Sequence, residues 1–296
     1  MSSSNYNTFL AMSAVDGIAV RANWSALETA SGVYDWTIVN NAVTAASVAG
    51  KKVTLHILPT GTSTPAWLYS SASAASYTYT LPGASTSTTD PVPWDNIYLT
   101  RWASLINALA DHLTASGVTA KIQAISITAP VPEMSLAACD QLPTSYVSAT
   151  YSQAWRTTID AAQSAFPNTQ KLLPVPVDSI CKQDMTGPTF YKGLLNYALQ
   201  TYGGGFAMFA ADLNAQGSWR IDGVSDVSSA PINLQFIWQA SSDPGNRMQG
   251  TLKDAICKGL NSYKSNYFEV YQEDLSSTSA PVQQAIQAIH TPSLCN

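Results

Sequence analysis

Seven short apolar runs separated by amphipathic windows constrain this chain most, because strands that alternate with helices fold into a parallel sheet wrapped by crossover helices. The runs are Gly17–Trp24, Lys52–Leu58, Ile122–Thr128, Lys171–Val177, Phe206–Leu213, Ile232–Trp238 and Tyr267–Tyr271. Helical periodicity fills Thr37–Val48, Leu99–Ala115, Ser145–Ala165, Thr189–Thr201, Gly250–Tyr263 and Ala280–Ile289. Gly50, Gly117 and Gly203 stand where helices should end, and Pro167 stops the helix before Lys171.

With 296 residues, 46% of them hydrophobic, the chain can bury one large core. The expected fold class is α/β, a (β/α)8 TIM barrel forming a single domain over residues 1–296. Its first strand is degenerate. Only Asn7–Met12 is left to supply it, as a truncated or irregular piece or as a short helix whose own preceding strand is missing.

A net charge of −5 without any Lys/Arg cluster argues against nucleic acid and membrane surfaces as partners, and a monomer is expected. Charged residues make up 11% of the chain, a bias that suits a secreted protein. No hydrophobic leader precedes Gly17, and Met1-Ser-Ser-Ser reads as an artificial start where a signal peptide was removed. The sequon Asn23-Trp-Ser25 falls at a strand end, a poor place for a glycan. Cys139, Cys181, Cys257 and Cys295 form no CxxC pair, which favours two disulfides over zinc or a redox dithiol. Three pairings are open; adjacent loops on one rim favour Cys139 with Cys181 and Cys257 with Cys295. GxSxG, P-loop and GxGxxG patterns are absent, and three histidines make a catalytic metal improbable, so no cofactor is expected.

Strand alternation identifies the barrel interior. Val53, Leu55 and Ile57 face helices, which turns Thr54 and His56 inward; Ile18, Val20 and Ala22 do the same for Arg21 and Asn23. Asp212 with Asn214, then Asn233, Gln235 and Gln239, then Tyr267, Glu269 and Tyr271 share faces near strand ends, and Asp178 follows the Lys171 run. Charged groups in a packed barrel must be paired, and several at one end mark a wet mouth. Glu133, one of only four glutamates, follows the run ending at Thr128, where barrel enzymes place catalytic groups. The aperiodic stretch Tyr69–Trp94 is too long for a plain connection and is expected as a lid or wall on the C-terminal face.

The pieces Arg21-Ala-Asn-Trp24-Ser-Ala-Leu27-Glu28, Gly32-Val-Tyr34-Asp-Trp36 and Pro65-Ala-Trp67-Leu68 resemble the early region of β-galactosidase-like glycoside hydrolases of clan A. The resemblance implies a barrel that cleaves glycosidic bonds, with Glu133 as general acid/base after the fourth strand. Two positions depart from the pattern. Pro132 replaces the usual Asn before the acid/base, and the strand-seven nucleophile is absent from the Ile232–Gln239 segment, where Gln235 and Gln239 are amides. An amide cannot form a glycosyl ester. Glu269 ranks first and Asp212 second as the other catalytic carboxylate. Arg21, His56, Trp67, Trp94, Asp178, Asn214, Gln235, Trp238, Gln239 and Tyr271 are the expected carbohydrate contacts, the aromatics by stacking on sugar faces. The competing reading is a non-hydrolytic carbohydrate-binding barrel that kept the fold and lost the nucleophile, with an engineered Gln235 as a third.

Overall fold

The protein is seen in a computed structural model that describes residues 6–80, 84–130, 141, 143–175, 188–224 and 230–295. Glu133, Cys139, Asp178 and Cys181 lie outside the described residues.

Seven parallel strands form one curled sheet in chain order: β1 (Gly17–Asn23), β2 (Lys52–Leu58), β3 (Ile122–Ser126), β4 (Gln170–Pro174), β5 (Phe206–Leu213), β6 (Ile232–Phe236) and β7 (Tyr267–Glu269). Helices α1 (Tyr6–Leu10), α2 (Thr37–Val48), α3 (Asn96–Ala115), α4 (Ser148–Ala165), α5 (Pro188–Tyr202), α6 (Leu252–Ser262) and α7 (Ala280–Gln287) alternate with them. This is the TIM-barrel arrangement expected from the alternation. Asn7–Met12 supplies no strand: it lies largely in α1, which packs on α2 and β1. Among the described residues no strand pairs with the outer edges of β1 and β7, so the sheet stays open there.

Several strands end earlier than their apolar runs. β4 stops at Pro174, which has no N–H to extend the ladder toward β3, while the Val175 amide still reaches the Phe209 carbonyl of β5 at 2.8 Å. Two of the helices start at caps written in the local sequence. Asp95 accepts from the Tyr98 amide to start α3, and Thr251 with Asp254 forms a capping box on α6.

Helix-facing side chains build two large clusters, one around Trp24, Leu55 and Trp102 and another around Trp155, Phe206 and Phe236. The barrel interior is narrower, filled by Ala124, Leu172, Ala207 and Phe209. Lys171 enters the bottom of β4 fully buried, with its ammonium 3.2 Å from the Phe166 carbonyl and 5.0 Å from the Phe206 ring centre. Gly205, at φ +94°, leaves room for it: a Cβ there would lie 3.4 Å from the lysine Nζ.

The Tyr69–Trp94 stretch is more ordered than its composition suggests. Ser76–Tyr79 and Thr88–Pro91 pair as an antiparallel hairpin. Its buried Asp90 accepts hydrogen bonds from the Gly61 amide, just past β2, at 2.5 Å and from the Tyr79 hydroxyl at 2.9 Å. Burial raises the Asp90 pKa despite those two donors. At the other end of the chain, Cys257 on α6 is disulfide-bonded to Cys295, in the final turn. Among the described residues no helix is long and apolar enough to cross a membrane.

Candidate active site

Register places four polar side chains together near the C-terminal ends of the two strands at either side of the sheet. Arg21 on β1 lies level with His56 on β2, and Gln235 on β6 lies level with Glu269 on β7. The helix-facing partners Val20, Ala22, Leu55 and Ile57 are buried against α-helices, which leaves Arg21 and His56 no face but the interior.

Glu269 is the hub. Its Oε1 accepts from His56 Nε2 at 2.7 Å and from the Tyr267 hydroxyl at 2.8 Å, while Oε2 accepts from Arg21 Nη2 at 2.7 Å. The same Arg21 nitrogen donates to Gln235 Oε1 at 2.6 Å, and Gln235 Nε2 reaches the Tyr271 hydroxyl at 3.4 Å. The Tyr267 oxygen also sits 3.0 Å from Thr54 Oγ1, and the His56 ring lies tilted against Phe209. Side-chain exposure is 6% for Glu269 but 41% for Arg21, so a buried anion is answered by a cation at the rim.

Burial alone would lift the Glu269 pKa. His56 and then Arg21, through charge and hydrogen bonds, overcome that and bring it down to about 2. Such a group is ionised at every working pH. It can stabilise positive charge or attack as an anion, and it cannot serve as an acid.

The barrel is one shared with glycoside hydrolases. Over 98% of the chain it is similar to the catalytic domain of β-amylase from Paenibacillus polymyxa, covering 94% of that chain with a TM-score of 0.67 at 12% identity. It is similar over 98% of its length to a thermostable mutant of a xylanase from Cellvibrio japonicus, covering 92% of it with a TM-score of 0.58 at 10% identity. An intracellular xylanase from Thermoanaerobacterium saccharolyticum matches over 90% of this chain and 86% of its own, with a TM-score of 0.54 at 14% identity. No family model and no curated protein matches the sequence. The β-galactosidase-like subtype rests on the early motifs alone.

The other expected site residues fall in different places. Asp212 is buried and accepts from the Ser218 hydroxyl at 2.5 Å and the Arg220 amide at 3.1 Å, which ties it to the turn after β5; burial raises its pKa against those donors. Asn214 spends its Oδ1 on the amides of Gln216 and Gly217 in that same turn. Trp67 is buried edge-on against Trp24, with its indole N–H on the Glu28 carbonyl. Trp94 is half-buried, edge-on to Tyr146 and Tyr151. Trp238, two residues past β6, lies 6.5 Å from the Tyr271 ring and has the Arg247 guanidinium 3.9 Å over its own ring. Gln239 follows it, half-buried. Tyr267 and Thr54 were not among the expected site residues, although their alternation with inward neighbours marks both as interior. No group of three or more His, Cys, Asp or Glu among the described residues is arranged to hold a metal.

Proposed function

We propose that the chain is a secreted glycoside hydrolase that cleaves an oligo- or polysaccharide at the C-terminal mouth of its barrel, without a cofactor. The observation that carries this reading is the fixed Glu269 carboxylate, held by Arg21, His56 and Tyr267 among strand-end polar groups. In this mechanism Glu133 donates a proton to the glycosidic oxygen as the bond to the anomeric carbon breaks. Glu269 faces the oxocarbenium-like centre and supplies negative charge, and water completes the cleavage. Tyr271, Gln235 and the open part of the Trp238 ring would contact sugar hydroxyls and C–H faces.

The second reading, a carbohydrate-binding barrel without hydrolysis, draws on Gln235. Its amide fills the slot expected of a nucleophile and is already satisfied by Arg21 and Tyr271. A screen of chromogenic glycosides and plant or microbial polysaccharides, run beside calorimetric binding on the same sugars, separates the two. Hydrolysis that disappears in both Glu133→Gln and Glu269→Gln while binding persists supports the hydrolase. Binding without product in the unaltered chain supports the alternative. Full turnover in Glu133→Gln removes the acid assignment.

A further inference from the structure

The loop from Ile237 to Thr251, between β6 and α6, carries a single basic residue, Arg247, and its sequence explains why that residue is held still. Asp243-Pro-Gly-Asn246 makes a turn, with the Asn246 amide on the Asp243 carbonyl at 3.1 Å. Asp243 Oδ2 accepts from the Met248 amide at 2.7 Å, which closes the turn around Arg247. Both flanks are pinned to neighbouring loops. Buried Asp274, past β7, accepts from the Ala240 and Ser241 amides at 3.0 and 2.6 Å, and the carbonyl of buried Met248 accepts from the Ala215 amide, past β5, at 2.9 Å.

Within this frame the Arg247 guanidinium lies 3.9 Å over the Trp238 ring, and the indole is itself fixed, its N–H donated to the Ser242 carbonyl at 3.0 Å. Stacking sets the plane of the guanidinium and leaves its N–H edges free. Nothing takes them up. Arg247 is exposed, and among the described residues it has no hydrogen-bond or carboxylate partner. Even Asp243 Oδ1, buried four residues away in the chain, meets no donor. Arg21 differs, because Glu269 answers its charge. The Trp238 ring lies 6.5 Å from that of Tyr271, whose hydroxyl is 3.4 Å from Gln235 Nε2, so Arg247 stands one aromatic layer out from the candidate site.

We propose that Arg247 is a specificity residue that reads the carboxylate of a uronic acid in a saccharide lying along Trp238 and Tyr271. The proposal rests on the reading, common to the hydrolase and the non-hydrolytic barrel, that this mouth binds carbohydrate. A guanidinium fork matches a planar carboxylate with two parallel N–H···O bonds, and a fork already held flat on an indole loses little freedom in making them. The two aromatic rings supply apolar surface for the C–H face of the same sugar. Sulfated glycans, as dense polyanions, are met by clusters of Lys and Arg. Here neither Ile237–Thr251 nor Val270–Ser279 holds a basic residue besides Arg247.

The test pairs oligogalacturonate, oligoglucuronate and oligomannuronate each with the same oligosaccharide after its carboxyl groups are reduced to alcohols. A carrageenan oligosaccharide, which carries sulfate and no carboxylate, completes the set, and calorimetry measures binding at low and high salt. At least one uronate should bind roughly tenfold or more tightly than its reduced partner, with the margin shrinking at high salt. Arg247→Met, which keeps an unbranched stem over Trp238, and Arg247→Gln should each bring that pair to within about twofold. Equal binding of every uronate and its reduced partner in the unaltered chain overturns the proposal, as does a preference that survives both substitutions. Tighter binding of the sulfated sugar than of any uronate overturns the carboxylate assignment. If no saccharide binds, charged or neutral, the carbohydrate reading itself falls and takes this proposal with it, whereas binding without discrimination removes the proposal alone.

Discussion

Arg21 and Glu269 lie 248 residues apart in the chain, yet their 2.7 Å ion pair joins the first and last strands of a sheet whose backbones do not meet. The contact therefore belongs at once to the candidate chemistry and to the closure of the barrel.

That dual position predicts a pH signature. The carboxyl is depressed to about 2, so its contribution to stability is complete above its ordinary value of 4.5 and is lost as the pH falls through about 2. Glu269→Gln should cost about 3 kcal/mol at pH 7, because Arg21 and His56 lose the anion they answer. The gap between the two proteins should shrink from pH 4.5 downward in urea denaturation. A constant gap down to pH 2 contradicts the assignment.

Gln235 offers a gain-of-function experiment. Glutamate there would sit on the same Arg21 nitrogen that now holds both Gln235 and Glu269, placing a carboxylate where the strand-seven nucleophile is expected. Gln235→Glu should raise turnover of activated aryl glycosides at least tenfold over the unaltered chain. Initial rates at saturating substrate decide the matter, and an unchanged rate means the slot cannot host a nucleophile.

Lys171 is a charge buried with little return. Burial lowers its pKa to about 8, below the ordinary 10.5, so the penalty of its charge is absent above pH 10.5 and grows to its full size as the pH drops through 8. Lys171→Met should add about 2 kcal/mol at pH 7 and flatten the rise between pH 8 and 10.5. Chemical denaturation at pH 7 and 9.5 measures both effects.

The Cys257–Cys295 bond closes a loop with a sequence separation of 38. Loop-closure entropy makes it worth roughly 4 kcal/mol. The double variant Cys257→Ser with Cys295→Ser should lose about that much and free the last turn from α6. Calorimetry and limited proteolysis of the C-terminus would show it.

The barrel was legible because each strand carries its own parity: Val53, Leu55 and Ile57 against Thr54 and His56 fix the interior without knowledge of any neighbour. Register added what alternation could not supply, namely that Gln235 and Glu269 stand level and share one arginine. Trp67 is the opposite case. A tryptophan beside a long loop looks like a sugar platform, and only packing shows its N–H committed to the Glu28 carbonyl and its ring set against Trp24. The hairpin at Ser76–Tyr79 was hidden by its Ser/Thr-rich setting, although Tyr77 and Tyr79 already alternate with polar residues. Asp212 looked like a mouth residue from its position at a strand end, and its carboxylate is instead shared out to Ser218 and Arg220.

Asp90 fastens that hairpin to the exit of the strand bearing His56, through the backbone of Gly61 and the ring of Tyr79. A flap hinged at this point would have to strip a buried acid of its donors each time it swung. The hairpin is thus pinned like a fixed jamb, its position set by the same carboxylate that anchors the exit of β2.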